Sequence, residues 1–241
     1  MLKITDVSKT YGSNKVKAVD NIRLEVASKQ ILGFIGPNGA GKTTTMKMIT
    51  GVLVPDAGTI TINGHDIAAD PIAAKQSFGY VPDSPDMFLR LKGMEYLNFM
   101  GDMYGVSAED RREKIASMGE IFEMTGALNG RIQSYSHGMR QKIVIMGALL
   151  HNPAVWILDE PLTGLDPRSS FQLKEMMRRH ADAGNCVLFS THMLEVAEKL
   201  CDKIALINKG RIVFDGELDS LKAQYNQLSL EDIFMEVTAN A

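Results

Sequence analysis

The stretch GPNGAGKT, Gly36 to Thr43, follows the apolar run Ile31–Ile35 and opens a helical pattern. Its residue types suit a phosphate. Glycines let backbone N–H groups curl around an anion, Lys42 brings a mobile positive charge, and Thr43 offers a hydroxyl to a divalent cation. Gly36, Pro37, Asn38, Gly39, Ala40, Gly41, Lys42 and Thr43, with Thr44 behind them, therefore read as a phosphate cradle. In VWILDEP, Val155 to Pro161, four apolar residues run into Asp159 and then Glu160. A carboxylate at the C-terminal end of a buried parallel strand sits in the ligand crevice of an open sheet. There Asp159 can hold Mg²⁺ through its water shell, and Glu160 can activate a water for in-line attack on a terminal phosphate. CVLFSTH, Cys186 to His192, repeats the pattern and brings His192 to the same edge, within reach of that phosphate.

A further stretch, QSYSHGMRQKIVIMGALL, Gln133 to Leu150, reads as an amphipathic helix with an unusual start. Ser136 is a good N-cap, because its hydroxyl can accept a free N–H of the first turn. Gly138 leaves the backbone bare just inside the helix. The residues alone admit two readings: a simple cap with a glycine that fits, or a helix end open to an anion.

These residues need elements to hold them. Ile31–Gly36, Val155–Asp159, Cys186–Ser190 and Lys203–Ile207 are short, continuously apolar runs, as strands of a doubly covered parallel sheet should be. Helical patterns at Lys42–Thr50, Arg168–Ala183 and Leu194–Leu200 separate them, which argues an α/β fold. Lys3–Val7, Val16–Val26 and Thr59–Gly64, the last ending in Asn-Gly, predict an antiparallel element near the N-terminus. From Ser84 to Leu150 strand signals vanish and helix signals dominate, and eight of the 15 methionines lie between Met87 and Met146. This is a helical insertion. A last helix, capped by Ser229, is expected in SLEDIFMEVT.

The bulk numbers set limits. At 241 residues, with 45% hydrophobic and 23% charged residues, one large globular domain is expected. A net charge of −3 gives no basic field for nucleic acid. The start, MLKITDVSKTYG, reads as a strand, not a signal peptide. The longest apolar run, Ile143–Leu150, is too short to span a bilayer. Cys186 and Cys201 show no metal-ligand spacing and read as buried, reduced thiols of a cytosolic protein.

Taken in order, the motifs resemble those of the ATP-binding cassette (ABC) ATPase subunits, over nearly the whole chain to about residue 220. The resemblance implies a P-loop NTPase (RecA-like) parallel-sheet core with an N-terminal antiparallel β element and an inserted α-helical subdomain. It implies a single domain, with residues 1–84 and 151–220 as core, 85–150 helical, and 221–241 a helical tail. Gly36–Thr43 matches the family's Walker A motif, Val155–Asp159 its Walker B, Glu160 its catalytic glutamate, Leu162–Pro167 its D-loop and His192 its switch histidine. Tyr11 stands where an aromatic stacks on adenine. YSHGM, Tyr135 to Met139, falls where the family's LSGGQ signature belongs. Ser136 and Gly138 then face the γ-phosphate held by a second, head-to-tail subunit, while Tyr135, His137 and Met139 depart from the pattern. Asp83, in FGYVPDSP, stands where the family carries a glutamine that touches the metal or the water.

ATP and Mg²⁺ are the implied cofactors. The implied partners are a second ATP-binding subunit and separate transmembrane permease subunits, so the chain is expected at the cytoplasmic face of the membrane. The helical insertion is the expected docking surface, through Met87, Phe88, Leu89, Tyr96, Phe99, Met100, Met103 and Tyr104. The variant signature and the short tail point to export. Other P-loop classes fit worse. A GTPase would need Asn-Lys-x-Asp, and NKGR at Asn208–Arg211 lacks the Asp. A chromosome or repair ATPase would place a long coiled coil between Thr43 and Val155, where no heptads occur. A translation factor of the family would carry two cassettes, and a P-loop kinase has no use for the signature helix. A non-transporting cassette acting as an ATP-gated switch on a membrane protein is the remaining alternative.

Overall fold

The computed structural model describes residues 1–12, 16–225 and 228–239. The chain opens with an antiparallel pair, β1 (Leu2–Tyr11) and β2 (Val16–Val26), then enters β3 (Ile31–Ile35), all five residues of which are buried. The glycine-rich loop leads from β3 into α1 (Lys42–Ile49). β4 (Ala57–Ile62) and β5 (His65–Asp66) follow, joined by Asn63 and Gly64 at φ +50° and +89°. Two successive positive φ values are what a tight two-residue hairpin needs, which is why Asn-Gly marks it. The helix α2 (Pro71–Gln76) leads to β6 (Phe78–Val81). Only helices come next: α3 (Gly93–Met103), α4 (Ala108–Ile121), a 3-10 turn at Ile132–Ser134, and α5 (His137–Leu149). Alternation then resumes with β7 (Val155–Asp159), α6 (Pro167–Asp182), β8 (Cys186–Thr191), α7 (Leu194–Leu200) and β9 (Lys203–Asn208). β10 (Arg211–Glu217), α8 (Leu218–Gln224) and α9 (Leu230–Ala239) follow.

The strands form two sheets. One has the order β2-β1-β4-β5 and is antiparallel throughout. The other has the order β10-β9-β3-β8-β7-β6 and is parallel except for β10. Two of its strands, β6 and β10, escaped the sequence reading. β6 has four residues, one of them glycine. β10 lies at the sheet edge, and none of its residues is fully buried, so it lacks a continuous apolar run.

Strand alternation divides the core. Leu32, Phe34, Ile157 and Leu188 face the antiparallel sheet and pack with Leu2, Ile4, Leu24 and Met46. Ile31, Trp156, Leu158 and Phe189 point to the other face, where they pack with Tyr96, Ile143 and Met146 of the helical insertion and with Leu173 and Met177 of α6. The insertion thus shares one apolar cluster with the sheet. A third cluster joins Ile35, Ala197 and Leu206 to Leu221, Leu230 and Ile233 of the C-terminal helices. Ser229 caps α9 by accepting the Asp232 N–H at 3.2 Å. Residues 226, 227, 240 and 241 of the expected tail lie outside the described residues. Both cysteines are free, but Cys201 is only half-buried, because it ends α7 against β3 instead of lying within a strand.

Candidate active site

Because β3, β7 and β8 run parallel and adjacent, their C-terminal ends converge at one edge. The loop after β3 is the cradle. A Cβ on Gly36 would stand 2.4 Å from the Ile207 carbonyl oxygen, so β9 leaves no room for one. Gly41 has φ +110°, and a Cβ there would meet the Ala18 carbonyl oxygen at 2.5 Å. Glycine is thus required by packing at the first position and by both packing and conformation at the second. Lys42 is buried, and its ammonium donates to the carbonyls of Gly36 at 2.7 Å and Pro37 at 3.3 Å. It is folded back along the loop that it would share with a phosphate.

Next to the loop lies a cavity of about 170 Å³, lined by Pro37, Asn38, Gly39, Gly41, Lys42, Thr43, Thr44, Asp83, Asp159 and Glu160. All ten were singled out by sequence. This volume is below the roughly 300–1,000 Å³ of ordinary ligand pockets. A ligand of ordinary size would extend outside it. Gly36 and Ala40 are buried behind the loop. Tyr11 does not line this cavity. It is exposed at the end of β1, paired with Val16, two residues along β2 from the Ala18 that packs on Gly41.

Asp159 is buried and ends β7 opposite Ser190 of β8. Its Oδ1 accepts the Ser190 hydroxyl at 2.5 Å, while its Oδ2 is buried without a hydrogen-bond partner. Burial raises the Asp159 pKa above the usual carboxylate range. The Ser190 bond opposes that shift, the charges of Asp83 and Glu160 add to it, and Lys42 opposes it. The orphan oxygen belongs to a residue that lines the same cavity as Thr43, and it fits a hard divalent cation. No cluster of three or more His, Cys, Asp or Glu that could hold a metal occurs among the described residues. A cation here would complete its shell with phosphate oxygens and water, as Mg²⁺ commonly does.

Glu160 follows at φ +48°, a left-handed conformation that strains a non-glycine residue. Its N–H donates to the Ser190 hydroxyl at 2.9 Å, and its Oε2 lies 2.9 Å from His192 Nδ1. The ring of His192 is exposed and reaches the site through Glu160. Ser190, which bonds both Asp159 and Glu160, is the residue of this cluster that sequence reasoning passed over. Its only signal is that it begins the polar end of an apolar strand.

Ser136 and Gly138 lie elsewhere. Ser136 caps α5, accepting the Met139 N–H at 3.3 Å, and is exposed. A Cβ on Gly138 would meet the Gly164 carbonyl oxygen at 2.7 Å, so this glycine admits the loop after β7. The same helix holds that loop through Gln141 Nε2, which donates to the Pro161 carbonyl at 3.4 Å, and through the Lys142–Asp166 ion pair at 3.1 Å. The Tyr135 hydroxyl donates to the Ala127 carbonyl at 2.6 Å, fixing the approach to the helix.

A family model described as ABC transporter matches residues 19–163, well over half of the chain, with the cradle, Asp83, Ser136, Asp159 and Glu160 inside the match. The chain belongs to the ABC transporter family. The cassette is 34% identical to the ABC transporter ATP-binding protein NatA of Bacillus subtilis (strain 168), across 98% of this chain and 97% of NatA. It is 37% identical to the daunorubicin/doxorubicin resistance ATP-binding protein DrrA of Streptomyces peucetius, across 87% and 64%. Among solved structures, an ATP-binding subunit of an ABC transporter is similar with a TM-score of 0.94 and 32% identity, covering 99% of both chains.

Proposed function

We propose that this cassette is the ATP-hydrolysing subunit of an exporter, using Mg²⁺, working as one of two ATP-binding subunits beneath separate transmembrane permease subunits. The observation that carries the chemistry is the Glu160 carboxylate, held beside Asp159 at the mouth of the Lys42 cradle and bonded to His192. Backbone N–H groups of Gly39–Thr43 and the Lys42 ammonium hold the β- and γ-phosphates. Thr43 and Asp159 hold the cation, which when bound neutralises charge that develops on the phosphate oxygens. Glu160 accepts the proton of the attacking water, and His192 keeps its carboxylate in place. Asp83 flanks the cation from β6. Tyr11, exposed beside the cradle, stacks on the adenine.

Ser136 and the bare N-terminus of α5 serve the γ-phosphate of the other subunit. Ser136 is exposed and lies outside the cavity lining, which supports that reading. No described helix is long and apolar enough to cross a membrane, so membrane attachment is assigned to the permease subunits at the cytoplasmic face. Of the eight residues expected to dock them, Met87, Phe88, Phe99 and Met103 are exposed. Tyr96 is buried in the core, and Leu89, Met100 and Tyr104 are half-buried, because they fill the insertion's own contacts. The drug-resistance role in DrrA's name supports export. The experiment is the mass of Glu160→Gln with Mg-ATP in solution. It should run at twice the 26.5 kDa of one chain, and Ser136→Asp on the same background should return it to the monomer. A Glu160→Gln that binds ATP and stays monomeric would remove the second-subunit role of Ser136.

A further inference from the structure

We infer that Ser190 is a positioning residue that sets the metal ligand and the catalytic base with a single hydroxyl. The inference rests on the proposed reading of the Asp159–Glu160 site and deepens it. Ser190 is fully buried, in register with Asp159 across the β7–β8 pair. A serine hydroxyl has one proton and two lone pairs. The proton goes to Asp159 Oδ1 at 2.5 Å, and one lone pair receives the Glu160 N–H at 2.9 Å.

Each bond has a consequence. With Oδ1 occupied, Asp159 has one free oxygen, the buried and unpartnered Oδ2, to offer a cation. With its N–H held, Glu160 is tied to β8 at the residue where the backbone takes φ +48°, and that turn carries its carboxylate to His192. Thr191, the next residue, accepts the Met193 N–H at 3.0 Å and fixes the bend that presents His192. Two adjacent hydroxyls at the end of β8 therefore align three groups contributed by two strands. An alanine at 190 would leave Asp159 Oδ1 and the Glu160 N–H unpartnered and both side chains free to turn.

The test compares Ser190→Ala, Ser190→Cys and Lys42→Ala with the unmodified chain. Nucleotide affinity is measured with Mg²⁺ and in a chelator, together with kcat, KM and thermal melting. Loss of a group that orients a metal ligand commonly costs about 10–100-fold in metal affinity or activity. Ser190→Ala should therefore raise the Mg²⁺ concentration that half-saturates ATP binding by roughly tenfold and lower kcat by a similar factor. Affinity in the chelator and KM at saturating Mg²⁺ should stay put. Ser190→Cys, which keeps the shape with a weaker donor, should fall between, and it carries the test if the alanine variant does not fold. Equal loss of affinity with and without metal, or an unchanged Mg²⁺ dependence in both Ser190 variants, overturns the inference. If Lys42→Ala binds ATP normally, it is the cradle reading that fails, and that outcome is separate because it does not involve Ser190.

Discussion

Asp83 stands on the cavity wall with Lys42, Thr43 and Asp159, and its charge helps raise the pKa of Asp159. It therefore faces the cavity, where the proposed reading puts the phosphates, and does not merely shape the Pro82–Pro85 turn. Beside a cation its charge is attractive. Without one it repels the nucleotide. Two unit charges 4 Å apart in water interact by about 1 kcal/mol, close to a fivefold change in affinity. Asp83→Gln should thus strengthen ATP binding about fivefold in a chelator while keeping hydrolysis at saturating Mg²⁺. Titration calorimetry with and without EDTA checks this, and identical curves for the two proteins would place Asp83 away from the metal. At this scale the sequence was highly legible where chemistry is local. The cradle is eight consecutive residues whose types state their use. Ser190 was not legible, because its partners lie about thirty positions away and meet it only through strand pairing. The strained backbone of Glu160 leaves no trace in composition at all.

Among the elements, the seam between the helical insertion and the sheet contains a half-buried histidine, His151, and a buried one, His180. His151, just after α5, stacks on Tyr104 with ring centroids 3.7 Å apart, and its Nε2 bonds the Phe78 carbonyl at 3.1 Å. His180 on α6 meets Trp156 edge-on at 5.6 Å. Burial lowers both pKa values from 6.5 to about 4. A histidine with a depressed folded pKa adds stability that is full above its unfolded pKa and is lost as pH falls through the folded one. The window here runs from 6.5 down to about 4. Asp159, with its raised pKa, acts in the opposite sense. Calorimetric Tm should therefore drop across that window, and His151→Gln, whose amide can still donate to Phe78, should flatten the drop. An equally steep drop in the variant would exclude His151 as a source. Neither histidine carried a sequence signal, because a single His in a helix or loop looks the same exposed or buried. The central strands did carry one, since β3, β7, β8 and β9 are covered on both faces and must be apolar throughout. Short β6 and edge strand β10 escape that constraint.

For the whole molecule, the arrangement of the two sheets and the helical layer places the cavity and the start of α5 apart, joined by the loop from Pro161 to Asp166. Gly138 against Gly164, Gln141 on Pro161 and Lys142 on Asp166 tie the helix to the strand that carries Asp159 and Glu160. Under the proposed reading, these contacts link the helix start that would meet a second subunit's phosphate to the loop that follows Glu160. From the sequence, Gly138 could be a helix end open to an anion or a glycine that merely fits. The packing shows that it makes room for the Gly164 carbonyl, and leaves Ser136 and His137 exposed at the helix start. The central claim is that Glu160, set between Asp159 and His192, is the base of an ATP-hydrolysing site. The most direct measurement is phosphate release from Mg-ATP by the unmodified chain and by Glu160→Gln, with ATP binding measured on both. The account predicts equal binding and turnover lowered by about 10²–10⁴-fold, the usual contribution of a positioned base. Near-normal phosphate release from Glu160→Gln would contradict it.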